Sequence, residues 1–161
     1  MTEQEQMNDL IDKVYQWGVD RKIIGNGKLE TQWLKLLSEF GEMCDTLAKG
    51  GDPIDDIGDQ LVVLIMMAGI AKKRGSILAA SKEFAPEARG DIPLVSQMCI
   101  NYIVLRYYGN HVSCGYKPAM SVLAGIAANH NHTLYQCLEH AYNQIKDRKG
   151  YPNEQGVFIK E

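Results

Sequence analysis

Residues 32–64 read QWLKLLSEFGEMCDTLAKGGDPIDDIGDQLVVL, two patterned halves separated by Gly50-Gly51. Successive helical residues advance by about 100°, so side chains three or four apart share a face. On that rule Gln32, Lys35, Glu39 and Glu42 form one polar stripe. Trp33, Leu36, Phe40, Met43 and Leu47 form the apolar stripe beside it. A helix over Leu29–Lys49, polar on one face and core-facing on the other, is therefore expected. Gly50-Gly51 stops it, because glycine takes the left-handed conformation of a helix C-terminus without steric cost. Asp52-Pro53 opens the next helix, with Asp52 as N-cap, Pro53 in the first helical position, and Asp55 and Asp56 in the positive first turn. That helix is expected to run to about Arg74, where Lys72, Lys73 and Arg74 suit its negative end and Gly75 terminates it. After Asp59 it is apolar on every side, the mark of a buried helix.

Outward from this pair, Leu10, Ile11, Val14, Tyr15 and Trp17 recur at helical spacing within Asn8–Val19. Ile23–Lys28 (IIGNGK) reads as a turn. Residues 76–93 read as a weak helix followed by a loop. Leu94–Tyr108 reads as a helix, with a strand as the alternative for its Val, Ile and Tyr content. Tyr107–Pro118 is a loop, Ala119–Ala128 and Leu134–Lys149 are helices, and Gly150–Glu161 is an irregular tail. The expected fold is all-α, a helical bundle built around an antiparallel helical hairpin, with residues 1–161 forming a single domain.

Composition excludes several classes. A chain of 161 residues with 45% hydrophobic side chains is long enough for one buried core. A net charge of −3 is unlike that of a nucleic-acid coat, and no stable nucleic-acid partner is expected. Cys44, Cys99, Cys114 and Cys137 are widely spaced with no C-x-x-C pair, which suits reduced thiols. The N-terminus is polar and acidic, unlike a signal peptide, and the longest apolar run, Leu61–Ala71, is too short to span a bilayer. A cytoplasmic protein without a membrane partner is expected.

The small net charge hides a local imbalance. Between Glu39 and Asp59 stand seven acids and one base, Lys49, a net −6, while the remainder of the chain is +3. Glu39 and Glu42 on the first helix, and Asp56 and Asp59 on the second, would face one another across a helical hairpin. Asp59 borders the apolar run, where an unpaired carboxylate is costly. A divalent cation removes that cost, and an oxygen-only donor set favours Mg²⁺ or Mn²⁺ over zinc. The plainer alternative gives Asp56 to the helix dipole and leaves both glutamates solvated on a helix surface. A di-iron carboxylate site needs Glu-x-x-His pairs, and no histidine here follows a glutamate at that spacing. A zinc site from His130, His132 and His140 stays open, although H-x-H beside asparagines more often marks a loop or cap. No Walker-type glycine loop is present.

Residues Gln32–Leu64 resemble the core of the MazG-like, all-α nucleoside triphosphate pyrophosphohydrolases, which carry E-E-x-x-E followed by E-x-x-D. Cys137–Glu161 and Gln16–Gln32 are similar to the corresponding parts of small MazG-like proteins common in bacteriophages. Three departures stand out: Ser38 replaces the first glutamate, Asp56 is one methylene shorter than the family's glutamate, and residues 76–116 have no counterpart. The resemblance implies Mg²⁺-dependent hydrolysis of (deoxy)nucleoside triphosphates to the monophosphate and pyrophosphate. Glu39, Glu42, Asp56 and Asp59 become metal ligands, and one glutamate, with Glu42 preferred, orients or deprotonates the attacking water. Lys146, Arg148, Lys149 and Lys35 are the candidate phosphate contacts. Gln32 is placed on base or sugar, and Trp33 or Trp17 on the base, with a plain core role as the alternative for Trp33. The resemblance also implies a homodimer or homotetramer, in the host cytoplasm for a phage-encoded chain. The alternatives are a catalytically silent Mg²⁺-binding helical module and a dUTP-directed relative.

Overall fold

A computed structural model describes residues 1–108 and 115–161. Most of the loop expected over 107–118, with Cys114, lies outside the described residues. The chain is mostly helical: α1 (Glu3–Asp20), a single irregular turn α2 (Ile23–Asn26), α3 (Leu29–Ala48), α4 (Ile54–Ile70), α5 (Arg74–Glu83), α6 (Asp91–Tyr108), α7 (Tyr116–Asn129) and α8 (Leu134–Ile145). A small antiparallel pair, β1 (Gly150–Pro152) and β2 (Phe158–Lys160), follows. Among the described residues, no helix is long and apolar enough to cross a membrane.

Helix boundaries follow from how the terminal backbone groups are satisfied. After α3, Gly51 N–H bonds Thr46 C=O (2.9 Å) and Gly50 N–H bonds Leu47 C=O (3.1 Å), with Gly50 at φ 70°, the Schellman arrangement expected of Gly-Gly. The same arrangement ends α4 four residues before the expected Arg74. There Lys73 N–H reaches Ala68 C=O (2.7 Å) and Lys72 N–H reaches Gly69 C=O (3.1 Å), with Lys72 at φ 58°. A lysine in the left-handed position leaves no glycine to read, so Arg74 starts α5 instead of finishing α4. At the other end of the chain, α1 begins earlier than expected. Thr2 Oγ1 accepts from Glu5 N–H (3.2 Å) while Glu5 Oε2 accepts from Thr2 N–H (2.6 Å), a reciprocal cap. The segment expected to be irregular after Gly150 is a β-hairpin, and α8 stops at Ile145, short of the expected Lys149.

Helix α4 is the axis of the core. Ile57, Gly58 and every residue from Gln60 to Gly69 are buried. It packs against α1, α2, α3, α5, α7 and α8, most extensively against α8 and α3. The one fully enclosed polar side chain on it, Gln60, is satisfied. Its amide donates to Asp56 C=O (3.2 Å) and Met43 Sδ (3.3 Å), and its carbonyl accepts from Tyr102 O–H on α6 (2.7 Å). Tyr102 in turn meets the rings of Phe40 and Trp33 edge-on, at centroid distances of 5.7 and 6.4 Å.

The α4–α8 approach depends on Gly58. A Cβ there would lie 2.2 Å from the Cys137 carbonyl oxygen and 2.8 Å from the Ala141 Cβ. A backbone carbonyl cannot swing aside as a side-chain tip can. Gly58→Ala is expected to lower stability by about 1–3 kcal/mol in urea denaturation, the usual cost of overpacking a core. Gly75→Ala, on α5 with nothing near the added methyl, is expected to be neutral or stabilising by up to about 1 kcal/mol. Equal midpoints for the two variants would show that the crossing is slack.

Candidate functional site

One cleft of about 640 Å³ gathers most of the residues singled out from the sequence. Its α3 wall is the stripe Gln32, Lys35, Glu39 and Glu42, continued to Thr31. Its α4 wall is Asp55, Asp59, Val62, Val63 and Met66, again one helical stripe. The upper half of α4 therefore presents carboxylates and the lower half apolar carbon. Trp17 and Ile23 close the apolar end, and Gln144, Ile145 and Arg148 come from α8 and the residues after it. The β-hairpin contributes Val157, Phe158 and Lys160.

The acids are unevenly compensated. Glu39 is 3% exposed and forms an ion pair with Lys35 one turn earlier. Asp55 accepts from Gln144 Nε2 (2.9 Å) and lies 3.4 Å from His140 Nε2. Asp59 is the strained group. Burial, then the charges of Glu39 and Asp55, push its carboxyl up to about 6, against the opposing pull of Lys35 and Arg148. Neither Arg148 nor Lys160 has an ion-pair partner among the described residues. The indole Nε1–H of Trp17, on the cleft wall, is buried with no acceptor among the described residues.

Several expected residues stand elsewhere. Asp56 does not line the cleft; burial raises its pKa, opposed by a hydrogen bond with Thr46, with Asp55, Glu39 and Asp45 nearby. Asp55, four residues before Asp59, takes the place on the cleft face that the sequence reading gave to Asp56. Trp33 lies outside the cleft, against Tyr102 in the aromatic group of α3 and α6. Lys146 and Lys149 are exposed and off the cleft wall; Lys146 Nζ bonds Asn143 Oδ1 (3.1 Å). Of the three C-terminal cations, only Arg148 reaches the cleft. The three histidines among the described residues pair singly with aspartates: His130 with Asp91 (2.8 Å), His132 with Asp52 (2.9 Å), and His140 with Asp55. The His132 contact is the main reason the Asp52 carboxyl is held below its usual range.

The donor set suits a hard divalent cation. The polar end of the cleft offers carboxylate oxygens from Glu39, Glu42, Asp55 and Asp59, and a cation would relieve the repulsion that strains Asp59. Among the described residues, no three His, Cys, Asp or Glu side chains are already gathered closely enough to hold an ion. Lys35 currently supplies the positive charge at Glu39.

No protein-family model matches the chain. No solved structure matches it. A protein of Haemophilus phage HP1 (strain HP1c1), named as an uncharacterized 18.2 kDa protein in the rep–hol intergenic region, is 36% identical over 64 residues. That similarity covers 38% of this chain and 39% of the phage protein, so the shared stretch is well under half of either.

The pKa of Asp59 sets a test. In the unfolded chain an aspartate titrates near about 3.9, and in the fold Asp59 titrates at about 6. Between those values the folded state binds more protons, so this group's contribution to stability is present at low pH and lost as pH rises through 6. In metal-free buffer at about pH 8, Asp59→Asn is expected to melt at a higher temperature than the parent, with the gap closing towards about pH 4. A variant melting at or below the parent at the higher pH would show that the charge at Asp59 is not strained.

Proposed function

We propose that this chain is a MazG-like nucleoside triphosphate pyrophosphohydrolase, hydrolysing (deoxy)nucleoside triphosphates between the α and β phosphates. The observation that carries this reading is the shared cleft, where the stripe Gln32, Lys35, Glu39 and Glu42 meets Asp55 and Asp59 beside Trp17. Carboxylates, cations and an aromatic wall in one cleft match the three parts of a nucleotide held with its metal: cation, phosphates and base. The volume is ordinary for a small-molecule site. In this reading α3 and α4 form the helical hairpin on which the site is built, and Glu39, Glu42, Asp59 and Asp55 would hold Mg²⁺ or Mn²⁺. The bound metal supplies charge neutralisation on the phosphate oxygens and a lowered pKa for a coordinated water.

The remaining chemistry belongs to side chains. Arg148 lines the same cleft without an ion-pair partner among the described residues and meets phosphate oxygens. Lys35, ion-paired with Glu39, would be free to meet a phosphate if a cation neutralised that carboxylate. Glu42, exposed at the cleft rim, orients the attacking water and accepts its proton. Water adds at the α phosphorus, the α–β bridging bond breaks, and monophosphate and pyrophosphate leave. Gln32 offers an amide to base or sugar from a nearly buried position.

A homodimer or homotetramer belongs to the same reading. Helix α6 buries Leu94, Met98, Tyr102 and Leu105, yet its outer face is also apolar. Ile100, Ile103, Val104 and Tyr107 stand exposed at i, i+3, i+4 and i+7 spacing, with Ile100 and Ile103 each 55% accessible. An uncharged helical stripe of this kind is what a symmetric contact between identical chains covers.

Two experiments test these statements. Incubation with each dNTP and NTP plus Mg²⁺ is expected to release monophosphate and pyrophosphate. Glu42→Gln and Asp59→Asn are each expected to reduce the rate by at least about a hundredfold without loss of helicity. Absence of turnover for every nucleotide leaves the silent Mg²⁺-binding module as the better account, and unaltered rates in the variants would misplace the site. Sedimentation of the parent is expected to give a multiple of the 18.0 kDa chain mass, and Ile103→Glu is expected to return it towards the monomer. A monomeric parent at micromolar concentration overturns the assembly.

A further inference from the structure

The hairpin Gly150–Lys160 is too short to be stable alone, since an isolated pair of three-residue strands lacks a core of its own. Its position is fixed by contacts along its length. Arg21 Nε donates to Arg148 C=O (2.6 Å) just before it. At its tip, Lys28 Nζ donates to Glu154 C=O (2.9 Å) and Thr31 Oγ1 donates to Gln155 C=O (2.6 Å). The tip itself is shaped by Asn153, whose Oδ1 accepts from Gln155 N–H (3.0 Å) and Val157 N–H (2.9 Å). Gly156, at φ 79°, lets the tip sit on the start of α3, for a Cβ there would be 2.8 Å from Lys28 N. The hydrogen bonds from Lys28 and Thr31 at the tip are accepted by backbone carbonyls, so they anchor the ribbon without occupying the side chains of β2.

Those side chains divide by face. Phe158 and Lys160 are two apart on β2 and both line the cleft, whereas Ile159 between them is exposed. Phe158 lies 5.6 Å from Trp17 with the rings inclined by 60°. The two rings therefore make an angled aromatic wall at the apolar end of the cleft, next to Val62, Val63 and Met66. Lys160 extends the same face, and no carboxylate pairs with it among the described residues. Trp17 Nε1–H adds a buried donor without an acceptor among the described residues, which a ligand atom or an ordered water can satisfy.

We propose that this hairpin is the second wall of the nucleotide site, with Phe158 and Trp17 holding the base and Lys160 a phosphate, an assignment that rests on the nucleotide reading above. Trp17 then contributes a ring edge and an N–H to an acceptor on the bound base or sugar. Lys160 joins Arg148 as the cationic counterpart of the carboxylate wall. The hairpin brings an aromatic and a cation to the site together, so the two contacts form from one docked element.

The test is nucleotide binding in a Trp33→Phe background, where Trp17 is the sole indole. The probes are α,β-imido analogues of the dNTPs and, separately, inorganic triphosphate, each with Mg²⁺. The analogues are expected to change Trp17 emission. Phe158→Ala is expected to weaken them by about tenfold or more, the size of one lost base–aromatic stack, while leaving inorganic triphosphate binding unchanged. Lys160→Ala is expected to weaken both probes, and Lys160→Arg to restore them. Should Phe158→Ala perturb folding, Phe158→Leu keeps the apolar volume and removes the ring, and exposed Lys160 tests the cation independently. Tight binding of the analogues that neither Phe158 nor Lys160 variants alter would overturn the hairpin assignment while the nucleotide reading stands. No binding by the parent would bring down both.

Discussion

The contact on which the rest depends is the crossing of α4 and α8 at Gly58. With hydrogen in place of a side chain, α4 rests against the Cys137 carbonyl and the Ala141 methyl. That closeness draws α8 over the acidic end of α4, and it brings Gln144 and His140 to Asp55. It also delivers Ile145 and Arg148 to the cleft, although they lie some ninety residues further along the chain. A side chain at position 58 would push these groups away together. Packing and chemistry therefore share one constraint: the helix most buried in the core is the one that carries the strained carboxylate.

The strain at Asp59 has a definite origin. One turn further along, α4 is enclosed on all sides, so Asp59 stands where water is already scarce. Glu39 is nearly buried on the facing helix and adds a second negative charge. Hydrophobic burial around α4 offsets the cost of holding these charges near each other, and Lys35 and Arg148 reduce it. A fold selected only for stability would place an amide at position 59. The carboxylate there is an argument for function that does not depend on resemblance.

The features legible in the sequence were those written in local periodicity and local capping. The α3 stripe projects as the 100° rule requires, and Gly50-Gly51 ends α3 in the arrangement that two glycines favour. What was missed has a different physical cause in each case. The end of α4 uses Lys72 in the left-handed position, which gives no residue-type signal. Asp55 and Asp56, four and three residues before Asp59, flank the same direction, and only the position of α8 decides which faces the cleft. Trp33 sits at the border of the polar and apolar stripes, and its placement was settled by Tyr102 on α6, a helix from the stretch without a recognisable counterpart. Phe158 and Lys160 were invisible because three-residue strands are too short to show alternation, although Asn153 and Gly156 mark the turn between them.

The charge pattern of the sequence takes a more specific form in three dimensions. The −6 segment supplies the carboxylate wall, but the compensating cations are not the Lys146, Arg148 and Lys149 cluster as a block. Helix α8 ends at Ile145 with Lys146 as its C-cap; Lys146 and Lys149 are exposed, and of the three only Arg148 lines the cleft. The other cations come from Lys35, one turn from Glu39 on the same helix, and Lys160, at the end of the hairpin. One is tied to a carboxylate, and two have no ion-pair partner among the described residues. A site that needed its cations only to neutralise its acids would pair them all. Arg148 and Lys160, without ion-pair partners among the described residues, keep positive charge available beside the carboxylates, which suits a ligand that arrives with its own negative charge and its own metal.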